Sequence, residues 1–503
     1  MVRSVFRTFF VFAGLAGWDI FLQYNHPGAD ALHSKLVISL YVIVESFLYG
    51  TVFSGLHLAV GCHIRYLYIP IYWCIVAVEL IETFINLHFG MTIKGEWIIL
   101  LMTSSASEMR YFIQGTILPS FWTLLIAGVS AITTFYLVSK WWWHIPHGVA
   151  KRCSCFAGRR FLIARLLIGM MIMMVLPVAH GTFAKSGQKC IFASIIQDTL
   201  STYNRQSCLK ECLNPILPED VNLLDKGMGL TGVLVVGESA TRNRWGLYGY
   251  KNDTTPKISA LKNGKGELIV FENVEAAGFT TYDAMVRMFT ASTKEEPTKI
   301  SPTVAGLIKK AGYYTALISA QGHWNTLDCY EDILFHSCDK RIFLGDIADL
   351  APGYDDRLLP FFKKELFSKE GESKFFFLHF MGSHYPYQIR YPKGSFGRSD
   401  WDDYDNTILQ TDGHLRQVVE LLEMHGGSTF MIYISDHGES PDSSTWRNRA
   451  DKDCLEIPMV IWLSEEYVTA FPETVRKIKG CAQKKWNADS LMSVFLDIAQ
   501  IEW

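Results

Sequence analysis

The stretch Val233-Leu-Val-Val-Gly-Glu-Ser239 joins an apolar run to a carboxylate at its end. Far downstream, Met431-Ile-Tyr-Ile-Ser-Asp-His-Gly-Glu-Ser440 repeats this pattern and carries Asp436 and His437. Open α/β sheets build ligand sites from polar groups at the C-terminal tips of such strands. Carboxylates and an imidazole suit a divalent metal. The two stretches therefore predict an α/β sheet with a metal site for chemistry on a phosphate or sulfate ester.

Strand-like runs alternate with helical patterns around these two stretches. The predicted strands are 231–236, 267–271, 314–319, 375–380, 430–435 and 457–462. The predicted helices are 302–311, 405–424 and 489–500, the first with Ser301 as its N-cap and Pro302 in its first turn. Near-continuous apolar strands separated by helices predict a mostly parallel sheet that is covered on both faces. We assign this α/β domain to residues 227–503.

The first part of the chain is far more apolar than the rest. Five stretches are long enough to cross a bilayer as helices, namely 5–22, 36–58, 67–85, 117–139 and 161–180. Most of the Lys and Arg residues that flank them fall on one side if the stretches alternate, which places the N-terminus in the cytoplasm. We therefore predict a five-helix transmembrane domain at 1–182, a linker along the membrane surface at 183–226 and an exported α/β domain.

The composition excludes one class of partner. The 503 residues carry a formal net charge of −3, and no basic stripe with interleaved aromatic residues occurs. Nucleic-acid-binding proteins normally show such a basic footprint. The sequence therefore argues against nucleic acid as a partner.

Several blocks resemble the membrane phosphoethanolamine transferases of the alkaline phosphatase and sulfatase superfamily. In chain order they are VLVVGESATRNRWGLYGY, NDTTPKISAL, FENVEAAGFTTYDAMVRMFT, LHFMGSHYPY and ISDHGES. The resemblance extends over the whole chain, including the five apolar stretches. It implies a protein of the bacterial inner membrane whose catalytic domain lies in the periplasm, with a soluble fold of the alkaline phosphatase and sulfatase type.

The resemblance also implies the catalytic residues. Glu238, Asp436 and His437 match the positions that bind the catalytic zinc, and a threonine is both the nucleophile and the fourth zinc ligand. Alignment on the glycine of the AAGFTTYD segment places Thr281 at this position and Thr280 one residue too early. A metal makes chemical sense here, because a threonine hydroxyl is a poor nucleophile until its proton is drawn away.

The implied reaction is a double displacement. Phosphatidylethanolamine would lose diacylglycerol and leave phosphoethanolamine on Thr281, and an acceptor hydroxyl would then take the group. The expected acceptor is lipopolysaccharide, at lipid A or a core sugar, and a periplasmic glucan is an alternative. His384 matches a histidine near the bound phosphate, where it could also hold a second metal, and Gln321 matches a block near the active site. His379 is expected to pack or hydrogen-bond within the sheet.

Two features depart from the family pattern. Members that modify lipid A carry cysteines on either side of the nucleophile, where this chain has Ala277 and Arg287. Arg287 could instead bind phosphate. A family histidine that normally follows the ISDHGES block is absent from residues 441–456.

The remaining alternatives are other members of the superfamily. A phosphoglycerol transferase or a phosphodiester hydrolase would have a similar metal site. A sulfatase would need a Cys or Ser within a Cys/Ser-x-Pro-x-Arg block, and the chain has none.

Overall fold

The computed structural model describes residues 208–224, 229–321, 330–347, 354–368, 371–392, 394, 401–441 and 452–503. The five predicted membrane stretches and most of the predicted linker lie outside these residues, so the domain boundaries stay predictions. Within the described ranges, no helix combines the length and apolar character needed to cross a membrane.

An eight-stranded sheet forms the centre of the described domain. Its strands are β2 (Thr231–Gly237), β3 (Glu267–Glu275), β4 (Tyr314–Ser319), β5 (Lys340–Phe343), β6 (Lys374–His379), β7 (Thr429–Ser435), β8 (Glu456–Leu463) and β9 (Lys485–Asn487). The spatial order is β5-β4-β6-β2-β7-β8-β3-β9. Only β8 runs against the other strands of this sheet, because it is antiparallel to both β7 and β3. The prediction of a mostly parallel sheet is therefore confirmed.

Two short strands and a set of helices complete the described fold. The strands β1 (Asn222–Leu223) and β10 (Ile501–Glu502) pair in a separate small sheet. The helices are α1 (Pro256–Ala260), α2 (Thr281–Phe289), α3 (Val304–Lys310), α4 (Tyr330–Leu334), α5 (Leu358–Leu366), α6 (Asp403–His425), α7 (Lys452–Leu455), α8 (Glu465–Ala470), α9 (Pro472–Ala482) and α10 (Met492–Ile498).

The three predicted helices are present as α3, α6 and α10, but the predicted start of α3 is wrong. Thr303, rather than Ser301, is its N-cap, and the Thr303 hydroxyl accepts the backbone N–H of Gly306 at 3.1 Å. A side-chain oxygen in this position satisfies one of the free N–H groups of the first helical turn. Because the helix begins after Thr303, Pro302 lies outside it.

The sheet is covered on both faces, as its sequence predicts. Every residue of β2 and β7 is buried. Leu234 and Val236 belong to a hydrophobic core shared with α3, α9 and α10, whereas Val233 and Val235 belong to a second core shared with α5 and α6. Alternate side chains of one strand thus enter opposite cores. This explains why the strand is apolar throughout.

The C-terminal tips of the central strands bring polar residues to one edge of the sheet. Gly237 at the end of β2 is paired with Ser435 at the end of β7, so Glu238 and Asp436 follow side by side. A Cβ atom on Gly237 would lie 2.2 Å from the hydroxyl of buried Tyr433. Glycine is therefore required where β2 crosses that ring.

Candidate active site

Three side chains from these two strand tips form a cluster. One ligand atom from each of Glu238, Asp436 and His437 lies within 4.8 Å of the others. Nε2 of His437 is 3.5 Å from Oε1 of Glu238 and 3.4 Å from Oδ2 of Asp436. Both carboxylates are buried, while the His437 side chain is 14% exposed. The cluster is therefore reached from solvent on the side of His437.

Hydrogen bonds between the two tips fix the carboxylates. Oδ1 of Asp436 accepts the backbone N–H groups of Ser239 at 3.0 Å and His437 at 2.6 Å. Ser239 has a φ of 57°, and its hydroxyl donates to Oε1 of Glu238 at 2.8 Å. This left-handed residue turns the chain directly after Glu238, and such local strain is common where function needs a fixed geometry.

The two adjacent threonines occupy different positions. Thr281 is the first residue of α2, and its hydroxyl lies 3.2 Å from each carboxylate oxygen of Glu238. Thr280 is the N-cap of the same helix, and its hydroxyl accepts the backbone N–H of Asp283 at 3.3 Å. The structure therefore brings Thr281 to the cluster and gives Thr280 a capping position.

The donor set fits a tetrahedral zinc ion. Two ligands that each lie about 2.0–2.1 Å from such an ion are about 3.3 Å apart. The separations between Thr281 and Glu238, His437 and Glu238, and His437 and Asp436 run from 3.2 to 3.5 Å. Oδ2 of Asp436 is also buried without a hydrogen-bond partner among the described residues. A cation between these atoms would satisfy that oxygen.

Electrostatics point to the same conclusion. Burial, followed by the charge of Asp436, raises the pKa of Glu238 to about 7. Burial also raises the pKa of Asp436 to about 6, although backbone hydrogen bonds from Ser239 and His437 oppose the shift. Two adjacent buried carboxylates are costly in the ionised state without a compensating positive charge. A divalent cation supplies that charge.

His384 and Gln321 lie outside the three-residue cluster. His384 lies in the loop after β6. This loop contacts the site through Ser383, whose backbone N–H donates to the carbonyl of Glu238 at 2.9 Å. Nδ1 of His384 faces the carbonyl oxygen of Tyr385 at 2.7 Å. Gln321 follows β4, two strands away from β2, and its carbonyl accepts the backbone N–H of Gly345.

Some supporting residues could not be identified from the sequence. Asp355 accepts the backbone N–H groups of Met381 at 2.7 Å and Gly382 at 2.9 Å, which anchors the loop that carries His384. The Tyr404 hydroxyl donates to the carbonyl of Ser239 at 2.7 Å. Both residues come from distant parts of the chain, and only the tertiary fold reveals these contacts.

Arg287 has a structural contact that its sequence position did not suggest. Its guanidinium donates to the carbonyl oxygen of Ala277 at 2.6 Å. The hydrogen bond joins the last turn of α2 to the loop that precedes Thr281. Ala277 and Arg287 are thus connected by a hydrogen bond.

We expect Arg287→Met to lower any turnover that depends on the Thr281 hydroxyl about tenfold, because the loop before Thr281 loses its anchor and this hydroxyl is held less well. Arg287→Lys keeps the charge but has a single donor group, so it should restore activity only in part. Steady-state kinetics on phosphatidylethanolamine, the donor that the family resemblance implies, test this. A rise in KM with an unchanged turnover number would contradict anchoring and indicate direct contact with the substrate.

The topology and the site define an α/β domain of the alkaline phosphatase type with a metal-ligand cluster at the strand tips. Residues 231–501, more than half of the chain, match the sulfatase family, and the chain belongs to that family. It is 27% identical over 318 residues to the phosphoethanolamine transferase EptC of Escherichia coli (strain K12). That alignment covers 58% of this chain and 54% of the relative, so the chain spans about half the length of the curated relatives it matches.

Solved structures show the same fold. The C-terminal periplasmic domain of EcEptC from Escherichia coli, in complex with Zn, is 24% identical with a TM-score of 0.52 and covers 57% of this chain and 87% of that one. The integral membrane protein lipooligosaccharide phosphoethanolamine transferase A (EptA) from Neisseria meningitidis is 20% identical with a TM-score of 0.65. It covers 99% of this chain and 94% of that one.

Proposed function

We propose that this protein transfers phosphoethanolamine from phosphatidylethanolamine to lipopolysaccharide, at lipid A or a core sugar, through a covalent intermediate on Thr281. The observation that carries the proposal is the Thr281 hydroxyl 3.2 Å from both oxygens of a buried carboxylate in a metal-ligand cluster. The related EptC is a phosphoethanolamine transferase, and the structurally similar EptA is a lipooligosaccharide phosphoethanolamine transferase.

Zinc is the proposed cofactor, with Glu238, Asp436, His437 and Thr281 as its ligands. The separations of these groups, the unpartnered Oδ2 of Asp436 and the zinc in the EcEptC domain support this assignment. Bound zinc would act as a Lewis acid that lowers the pKa of the threonine hydroxyl and offsets charge on the transferring phosphate.

The chain's own residues account for the two displacements. In the first, Oγ1 of Thr281 attacks phosphorus, its proton leaves, the bond from phosphorus to the glycerol oxygen breaks, and diacylglycerol departs with a proton. In the second, an acceptor hydroxyl attacks phosphorus and the bond to Thr281 breaks, which returns a proton to the threonine. The position of Thr281 at the start of α2 places the negative charge of the transferring phosphate at the positive end of the helix dipole.

We propose substrate-binding roles for His384 and Gln321. The loop that carries His384 is hydrogen-bonded to the backbone of Glu238, which supports a place for this residue beside the cluster. Gln321 follows a strand tip on the same edge of the sheet. The proposed location is the bacterial inner membrane, with five membrane helices before residue 183 and the α/β domain in the periplasm. The hydropathy of the five apolar stretches supports it.

Mass spectrometry of the cell envelope tests the proposed function. We expect lipid A or core oligosaccharide from cells that express the full chain to gain one phosphoethanolamine mass, with no gain in cells that express Thr281→Ala. A mass gain confined to periplasmic glucans would show that a glucan, and not lipopolysaccharide, is the acceptor. A phosphoglycerol gain, or release of diacylglycerol without any modified acceptor, would contradict the transferase proposal.

A further inference from the structure

A line of buried polar groups runs along the C-terminal ends of β4, β6 and β2 to the metal-ligand cluster. Ser319 ends β4 and His379 ends β6, and these two residues are paired in register. Between them, the Ser319 hydroxyl donates to Oε2 of Glu331 at 3.0 Å, and Oε1 of Glu331 lies 3.0 Å from Nδ1 of His379. The line ends at Glu238, whose Oε2 lies 3.9 Å from Nε2 of His379.

The two oxygens of Glu238 have different surroundings. Oε1 lies 3.5 Å from Nε2 of His437 and accepts the Ser239 hydroxyl at 2.8 Å. Oε2 lies 3.9 Å from Nε2 of His379, while the Thr281 hydroxyl lies 3.2 Å from both oxygens. Nε2 of His379 is buried and has no hydrogen-bond partner among the described residues. A buried polar atom without a hydrogen-bond partner costs free energy. The orientation of Nε2 of His379 toward Oε2 of Glu238 therefore suggests a role at that carboxylate.

Burial makes these contacts strong. Ser319, Glu331, His379 and Glu238 are each at most 2% exposed. An imidazole has a nitrogen on each side of the ring, so His379 contacts Glu331 through Nδ1 and faces Glu238 through Nε2.

Helix α4 connects this line to the nucleophile. Glu331 is in α4, and the neighbouring Tyr330 ring meets the edge of the Tyr282 ring with a centroid distance of 5.4 Å. Tyr282 directly follows Thr281 in α2. The same short helix therefore contacts both the histidine beside Glu238 and the residue next to the nucleophile.

We propose that His379, held by Glu331 and Ser319, is a positioning residue that fixes the rotamer of Glu238 so that Oε1 points into the metal-ligand cluster. The inference rests on the proposed zinc site and not on any particular acceptor. Groups that orient metal ligands in this way commonly change metal affinity about 10–100-fold when they are replaced.

The test measures zinc binding by the detergent-purified full chain. Zn²⁺ affinity is obtained by competition with a chelator, and the absorption spectrum of the Co²⁺-substituted protein reports ligand geometry. We expect His379→Gln and Glu331→Gln each to bind zinc about 10–100-fold more weakly and to shift the cobalt spectrum. The double variant should lose no more than the weaker-binding single variant, because both residues act through one contact.

His414→Gln is the matched control. His414 is another buried histidine of the domain, on α6, and the line from Ser319 to Glu238 does not include it. Its replacement should leave zinc affinity and the cobalt spectrum unchanged. Thermal unfolding of the metal-free proteins identifies a variant that fails to fold; if His379→Gln does so, the milder Glu331→Gln decides the matter.

The results separate this inference from the proposed function. Unchanged zinc affinity and cobalt spectrum in folded His379→Gln or Glu331→Gln would overturn the positioning role, as would an equal loss in His414→Gln or additive losses in the double variant. A zinc-binding protein that shows the expected losses but transfers nothing would overturn the proposed function alone. A wild-type protein that binds no zinc would overturn both.

Discussion

Thr281→Ala is expected to lower the proposed phosphoethanolamine transfer by about a thousandfold or more, as loss of a covalent nucleophile does in other enzymes. The hydroxyl of Thr281, the first residue of α2, lies 3.2 Å from both oxygens of Glu238. Release of diacylglycerol from labelled phosphatidylethanolamine measures the first displacement, and the mass of the Thr281 peptide during turnover detects the covalent intermediate.

Thr280→Ala is the matched control because it removes the adjacent hydroxyl. This hydroxyl caps α2 by accepting the N–H of Asp283, so its loss should cost about 1 kcal/mol of stability and leave most of the activity. Thr281→Ser keeps an attacking oxygen and should retain measurable transfer. If Thr280→Ala were inactive while Thr281→Ala remained active, or if the phosphoethanolamine mass appeared on Thr280, the assignment of the nucleophile would be wrong.

The residue types alone do not distinguish these two threonines, and only the family resemblance favoured Thr281 in the sequence. Successive side chains on a helix are separated by about 100°, so a shift of one residue moves a hydroxyl from the cluster to the helix cap. The GESA and SDHGES stretches were easier to interpret, because each places its polar residues directly after a buried strand. Glu238, Asp436 and His437 therefore meet as soon as β2 and β7 are neighbours in the sheet.

The central strands were predictable, but those at the two ends of the sheet were not. β5 lies at one edge and begins with Lys340 and Arg341, and β9 lies at the other edge with three residues, none of them buried. Edge strands are often short and charged, which hides them from a search for apolar runs. Glu331 was missed for a related reason, since its contact with His379 links residues 48 positions apart through the packing of α4.

Glu238→Gln is expected to abolish zinc binding and, at the same time, to stabilise the metal-free protein at neutral and higher pH. The pKa of Glu238 is raised from 4.5 to about 7, chiefly by burial and then by the charge of Asp436. The protonated carboxyl therefore favours the folded state. This contribution is fully present below pH 4.5 and is lost as the pH rises through about 7. Glutamine stays neutral, so the variant should gain up to about 3 kcal/mol relative to the wild-type protein at high pH.

Unfolding of the chelated proteins in denaturant at pH 5 and pH 8 measures this difference. Asp339→Asn provides a control of opposite sign. Burial of Asp339 acts to raise its pKa, but hydrogen bonds from Lys309 and Thr315 outweigh burial and hold the pKa below its usual value. The ionised form therefore favours folding, and its contribution is lost as the pH falls, so Asp339→Asn should destabilise the protein at pH 8. If Glu238→Gln also lost stability at pH 8, or still bound zinc as the wild type does, the view that Glu238 is a destabilising buried charge that serves as a metal ligand would be wrong. The expected result is a variant that is more stable than the metal-free wild-type protein but neither binds zinc nor transfers the group. It would show that Glu238 serves to bind the cation, although its charge lowers the stability of the metal-free fold.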